Sequence, residues 1–89
     1  MATVHFTSNL RRHVDCPTVV AGGHTVSAVL VGAFAANPRL ATYVLDDQGQ
    51  LRKHMSILVD GKAIADRATQ TDPVATHSEI WVMQALSGG

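Results

Sequence analysis

Residues 79–89 read Glu79-Ile80-Trp81-Val82-Met83-Gln84-Ala85-Leu86-Ser87-Gly88-Gly89, an apolar run followed by a short tail that ends in two glycines. In the run, Ile80 and Val82 alternate with Trp81 and Met83, which is the period of a β-strand. Both faces of this strand are apolar, so we predict a central strand. The rest of so small a chain leaves little to cover a second face, and Trp81 and Met83 are predicted to form a docking patch. The alternative, that the loop of residues 65–78 covers this patch, stays open.

The two final glycines indicate a reactive C-terminal carboxylate rather than a catalytic side chain. Two residues without a Cβ can lie extended in a narrow slot and leave the last carbonyl unhindered. The dipeptide alone favours the other interpretation, a frayed chain end without function. The tail of residues 85–89 is predicted to be flexible, and it spans about 16 Å when extended at ~3.3 Å per residue.

Length and composition predict one small globular domain over residues 1–89. Apolar residues make up 46% and charged residues 16%, and no run reaches the roughly 18 apolar residues of a membrane span. Seven Lys and Arg balance seven Asp and Glu, which gives no reason to expect nucleic acid or a membrane as partner. The chain starts without a secretory signal pattern and has a single cysteine, so a cytoplasmic location is expected.

The clearest local signal is a helix that begins after Thr25, a residue type that caps helices. The apolar residues behind it recur at i, i+3, i+4, i+7 and i+8, and they are Val26, Val29, Leu30, Ala33 and Phe34. Asn37-Pro38 ends the helix, because the residue before a proline is pushed out of the helical region.

Further strands are predicted on both sides of this helix, at residues 3–7, 13–20, 43–45, 54–59 and 79–83. Pro17 has no N–H for a ladder, so the second of these strands is an edge or is broken there. Residues 46–49 form a turn, and Asp60-Gly61 is a hairpin turn from which residues 62–64 pair back briefly. The pattern predicts an α+β domain with one long helix across one sheet face.

No metal site is predicted. The five histidines, which show no short paired ligand spacing, are His5, His13, His24, His54 and His77. Cys16 is expected to be a small apolar residue of an edge strand, with a Cys-His catalytic pair left open as the alternative.

Three other short motifs carry weaker signals. Residues 22–25 read Gly-Gly-His-Thr before the helix, but they lack the Lys of a phosphate loop, so we predict a strand-to-helix turn. Arg11-Arg12 and Arg52-Lys53 are basic pairs. They are predicted to be solvated surface residues, with docking to an acidic patch on a partner protein as the alternative.

The order of these elements resembles the ubiquitin-like sulfur carriers of the MoaD/ThiS family. The resemblance covers nearly the whole chain, and its motifs are a β-hairpin, a helix that starts at Thr-Val, Val59-Asp60-Gly61, the strand Glu79-Ile80-Trp81-Val82-Met83 and the ending Ala85-Leu86-Ser87-Gly88-Gly89. It implies a β-grasp (ubiquitin-like) fold, with a mixed sheet of four to five strands and one main helix packed across one face.

The resemblance also implies that the chain is a carrier and not an enzyme. A ubiquitin-activating-type enzyme would use ATP to adenylate Gly89, and a persulfide donor would convert it to a thiocarboxylate that supplies sulfur to a synthase. The tail residues Leu86, Ser87 and Gly88 would thread into the partner. Leu86 would fill an apolar pocket there or pack on its own sheet edge. No bound cofactor and no catalytic residue are expected in the chain itself.

Gln84 departs from the family pattern, because many members have a proline at this place. The glutamine keeps a backbone N–H and makes the tail less stiff, which leaves the partner pathway open. Two other functions also stay open. One is a protein modifier conjugated through Gly89, and the other is a β-grasp interaction module that binds through Trp81 and Met83 without C-terminal chemistry.

Overall fold

The computed structural model describes residues 1–7 and 18–84. Its elements are, in chain order, β1 (Ala2–Phe6), β2 (Val19–Ala21), α1 (Val26–Ala36), α2 (Pro38–Val44), β3 (Met55–Val59), β4 (Lys62–Ala63) and β5 (Glu79–Gln84). All five strands belong to one sheet. The domain is therefore α+β, as the sequence predicts.

β5 is the central strand of the sheet, whose order is β2-β1-β5-β3-β4. β1 and β5 run parallel, and the other three neighbouring pairs are antiparallel, so the sheet is mixed. A parallel pair needs a crossover connection, and α1 lies in the segment that joins β1 to β5. The prediction of a central strand from its two apolar faces is confirmed.

The core lies between α1, α2 and one face of the sheet, which we call the inner face. Val4, Ile80 and Val82 point to this face and have no exposed surface. From α1 the buried residues are Val26, Val29, Leu30 and Ala33, the predicted apolar stripe. Burying each of the larger side chains stabilises the fold by roughly 1.5 to 3 kcal/mol.

The predicted start and end of α1 are confirmed. Thr25 has an extended backbone, and its Oγ1 accepts the N–H of Ala28 at 3.2 Å, which satisfies one of the donors left free at a helix start. The helix ends at Ala36, and Asn37 follows it in a non-helical conformation.

One predicted strand is wrong. Residues 43–45 were expected to be extended, but the first two of them belong to α2, and Leu45 makes only an isolated bridge to Leu51. Pro38 starts α2 at a position where a helix does not need its missing N–H. Leu40 and Val44, one helical turn apart, are both buried, and this packing outweighs the β-propensity of the segment.

The other predicted strands hold to within a residue or two wherever the chain is described. β1 and β3 match residues 3–7 and 54–59, and the β3–β4 turn consists of Asp60 (φ 51°) and Gly61 (φ 88°), as expected for a tight hairpin. β2 corresponds to the end of the predicted strand 13–20 and continues to Ala21. The earlier part of that strand, the turn before it, Arg11-Arg12 and Cys16 lie outside the described residues.

Candidate docking face and tail exit

The predicted docking patch of Trp81 and Met83 lies on the outer face of the sheet, opposite α1 and α2. Trp81 is 40% exposed and Met83 is half-buried. The register places Trp81 between His5 of β1 and Leu58 of β3, and Leu58 pairs with Ala63 of β4. Paired residues point to the same face, so one row of side chains crosses the sheet through Trp81.

His5 stacks on Trp81 and is itself held by Glu79. The two ring centroids are 4.3 Å apart and the ring planes meet at 19°. The Nε2 atom of His5 lies 2.8 Å from Oε1 of Glu79. The imidazole therefore covers part of the indole and limits its rotation, while 40% of Trp81 stays exposed.

Sequence reasoning did not identify His5 as part of this site. The alternation in β1 places His5 on the face opposite Val4 and Phe6, and that signal was available. Its contact with Trp81 depends on the parallel pairing of the first and last strands, which no local pattern specifies.

The loop of residues 65–78 does not cover the docking patch. The N–H of Val26 donates to the carbonyl of Asp72 (2.9 Å), and the N–H of Ser27 donates to that of Gln70 (2.8 Å). These bonds hold the loop against the start of α1, on the inner side of the sheet. The alternative interpretation, in which this loop covers Trp81 and Met83, is therefore wrong.

The same contacts show that residues 22–25 are a turn and not a phosphate cradle. The N–H groups of Val26, Ser27 and Ala28 already have acceptors, so the first turn of α1 has none of them free for an anion. Gly23 has φ 149°, and a Cβ there would lie 2.7 Å from the Cβ of Ala28. Glycine is needed here for the close approach of the turn to the helix.

Two carboxylates organise the loop that holds α1. Hydroxyl groups of Thr69 and Thr71 donate to Asp66 and hold the pKa of its carboxyl well below the usual range. Backbone N–H groups of Ala65 and Asp66 donate to Asp72 and lower the pKa of its carboxyl as well. Both carboxylates are used to shape the loop.

Residues 1–7 and 18–84 contain no group of three His, Cys, Asp or Glu side chains placed to hold a metal ion. Over the same residues, neither helix is long and apolar enough to cross a membrane.

Gln84 is the last residue of β5 and the last described residue. Gln84 pairs with Met55, so β5 is one residue longer than predicted. Gln84 is thus part of the strand ladder, and a proline at this position would have no N–H to donate to it. The predicted tail residues lie outside the described residues, and they are Leu86, Ser87, Gly88 and Gly89. Met83 and Gln84, from which the tail continues, thus lie at the same end of β5.

Solved structures with the same fold were found for this chain. SAMP1 from Haloferax volcanii is 27% identical, with a TM-score of 0.79 over 99% of this chain and 98% of that chain. A chain of the Amycolatopsis orientalis BexX/CysO complex is 18% identical, with a TM-score of 0.83 over 100% of both chains. CysO from Mycobacterium tuberculosis is 21% identical, with a TM-score of 0.80 over 97% of this chain and 100% of that chain.

No family model and no curated protein sequence matches this chain. The structural neighbours SAMP1, CysO and Urm1 are nonetheless consistent with one another, since these three are β-grasp proteins of the ubiquitin-like sulfur carrier and modifier group. The resemblance drawn from the sequence is confirmed at this level, and the chain is a ubiquitin-like β-grasp protein related in structure to sulfur carriers and modifiers.

Proposed function

We propose that this protein is a sulfur carrier. In this proposal the carboxylate of Gly89 is adenylated by a ubiquitin-activating-type enzyme and converted to a thiocarboxylate, which then donates its sulfur in the synthesis of a cofactor or metabolite. The observation that supports it most is the position of the last described residue. Gln84, the residue before the five that end in Gly88-Gly89, closes the central strand next to Met83 of the proposed docking patch.

This placement would let one partner hold both features at once. A partner that binds Trp81 and Met83 lies next to Gln84, where the tail begins. From there the tail spans about 16 Å when extended at ~3.3 Å per residue, enough to bring Gly89 into a recessed site. Leu86 and Ser87 would line the entrance of that channel, and the glycines would occupy its narrow part.

The chemistry requires activation because a carboxylate resists nucleophilic attack. An oxygen of the Gly89 carboxylate would attack the α-phosphorus of ATP, which releases pyrophosphate and leaves an acyl adenylate. A persulfide sulfur would then attack the carbonyl, with AMP as the leaving group, to give an acyl disulfide. A second thiol would break the S–S bond, taking one sulfur into a new disulfide and releasing the thiocarboxylate.

All catalytic groups in this scheme belong to partners. The carrier would meet an adenylating enzyme that uses ATP, a persulfide donor and a sulfur-accepting synthase, and would bind no cofactor itself. Because the adenylation consumes ATP, we propose that the protein works in the cytoplasm.

A second candidate function uses the same glycine. Among the structural neighbours are proteins named small archaeal modifier protein 1, from Haloferax volcanii (25% identical) and from Methanosarcina acetivorans (22% identical). A modifier would transfer the acyl group of Gly89 to a lysine amine instead of accepting sulfur. A third candidate, an interaction module, would use only the docking patch.

Intact mass separates these functions. The chain is incubated with ATP, an adenylating enzyme of the same organism and a persulfide source. A carrier gains the mass difference between one sulfur and one oxygen, whereas a modifier appears on lysines of other proteins. Deletion of Gly89, or one residue added after it, should abolish both reactions while circular dichroism and docking stay unchanged. Survival of the mass gain in these variants would overturn the proposal.

A further inference from the structure

Charges are divided unequally between the two ends of β5, although the whole chain is neutral. At the start of the strand the acidic groups already have partners. Glu79 is bonded to His5, and the Asp60 carboxylate accepts the hydroxyl of Ser78 (2.9 Å) and the N–H of Glu79 (2.9 Å). Hydroxyl and N–H donors do not neutralise a carboxylate, so this end carries two acidic side chains, Asp60 and Glu79, beside the exposed cation of Lys62.

At the other end of β5 stands a basic turn, residues 52–55, with Lys53 and His54 at its exposed tip. The N–H of Met55 donates to the carbonyl of Arg52 at 2.9 Å and closes the turn. Lys53 makes no hydrogen bond or ion pair to any described residue. Its charge is therefore not neutralised within the described part of the domain.

Arg67 fixes this turn and adds a second cation to it. Its Nη2 atom donates to the carbonyls of Arg52 and Met55, at 2.8 Å each. Both acceptors are neutral, so the guanidinium keeps its net charge beside the turn. Arg52 points elsewhere, since its Nε donates to the carbonyl of Thr42 (2.9 Å) and it lines a groove with Asp46 and Asp47.

The basic turn is adjacent to the exit of the tail. Met55, the last residue of the turn, pairs with Gln84, the last described residue of β5. An extended tail would carry Gly89 about 16 Å away at ~3.3 Å per residue, beyond the reach of a lysine side chain. Lys53 would therefore contact the entrance of the channel that receives the tail, and not the reacting carbonyl.

We propose that the basic turn binds acidic side chains at the entrance of the tail channel on the adenylating enzyme. The inference rests on the proposed carrier function and names the chemistry of its partner surface. Charges at the rim of an interface act mainly on the association rate and its salt dependence. The basic turn would thus orient the domain so that the tail meets its channel, while Trp81 and Met83 supply the apolar contact.

The chain offers a matched pair of variants to test this. Its two lysines, Lys53 and Lys62, are both exposed, and Lys53→Glu and Lys62→Glu change the net charge equally. Lys62 pairs with Val59, at the opposite end of β3 from Met55. The two ends are about 13 Å apart at ~3.3 Å per residue, more than the screening length of about 8 Å in physiological salt.

Association with the adenylating enzyme that thiocarboxylates the wild-type chain is measured by stopped flow at several salt concentrations. We expect Lys53→Glu to slow association about tenfold at low salt, with the loss shrinking as salt rises, and Lys62→Glu to change it less than about twofold. Lys53→Arg should keep the wild-type rate. Circular dichroism checks that each variant folds.

Two results would overturn the inference. Equal losses in the two glutamate variants would mean that only the net charge matters, and an unchanged rate in Lys53→Glu would mean that the turn does not touch the partner. Failure of the wild-type chain to be thiocarboxylated by any adenylating enzyme is a different result, because it overturns the proposed function itself.

Discussion

The two faces of β5 carry equally apolar residues but differ in how far these residues are exposed to solvent. Ile80 and Val82 on the inner face have no exposed surface, whereas Trp81 on the outer face is 40% exposed and Met83 is half-buried. The difference comes from the helices, which cover only one side of the sheet. In a domain of two layers, an apolar residue on the uncovered side is available to a partner.

The largest expected effect is the loss of stability when a side chain of the inner face is shortened. Ile80→Ala removes a fully buried side chain and leaves a cavity, so the free energy of unfolding should fall by about 3 kcal/mol. Urea denaturation followed by circular dichroism measures this loss. Trp81→Ala is the matched change on the outer face and should cost less, because its side chain is partly in water already. Equal losses would mean that both faces belong to the core.

The next effect concerns binding through the outer face. Trp81→Ala should weaken docking to the adenylating enzyme by about 2 kcal/mol, since exposed aromatic residues at interface centres carry much of the binding energy. Calorimetric titration gives the dissociation constant. Val31→Ala is the control, because Val31 is 68% exposed on α1, away from the outer face. A similar loss in this control would argue against a specific docking patch.

A smaller effect tests how Trp81 is held. His5→Ala removes the stacked ring and should weaken docking by about 0.5 to 1 kcal/mol, while His5→Phe keeps a ring and should keep most of the affinity. Trp81 is the only tryptophan of the chain, so its fluorescence reports on this site directly. Acrylamide quenching of the free protein should increase in His5→Ala and not in His5→Phe. No increase in His5→Ala would show that the stack does not shield the indole.

The smallest effect concerns the loop that holds α1 against the inner face. Hydrogen bonds from Thr69 and Thr71 lower the pKa of Asp66 in the folded state. A lowered pKa stabilises the fold above the unfolded value, and this contribution is lost as the pH falls below about 4. Asp66→Asn should therefore lower the urea midpoint at neutral pH. As the pH is lowered toward about 3, the urea midpoint of this variant should fall less than that of the wild-type chain. An unchanged decline would mean that other carboxylates account for it.

Much of the fold follows from local patterns, and the exceptions have physical causes. Thr25, the stripe behind it and Asn37-Pro38 define α1 in the sequence as they do in the structure. α2 was missed because its seven residues are too few to show a clear period, and they include β-branched and aromatic residues. Its helical state depends on burial of Leu40 and Val44 by the rest of the domain.

The candidate site also contains residues that local patterns predict and one that only the tertiary structure reveals. Trp81 and Met83 were predicted from alternation in one strand, and their exposed side is where the structure leaves the sheet uncovered. His5 was not predicted, because its stacking on Trp81 needs the register between strands at opposite ends of the chain. The roles of Leu86, Ser87, Gly88 and Gly89 stay predictions, since they lie outside the described residues.

Sequence alone specified β1, β3 and β5, the main helix and the central place of β5, because side-chain periodicity and capping act over a few neighbouring residues. It also showed a neutral chain with two basic pairs. Only the tertiary structure placed His5 on Trp81, brought Glu79 and Asp60 together at one end of β5, and set Lys53 and Arg67 beside Gln84 at the other end. These arrangements depend on pairing between distant segments, which compact packing determines and local patterns do not encode.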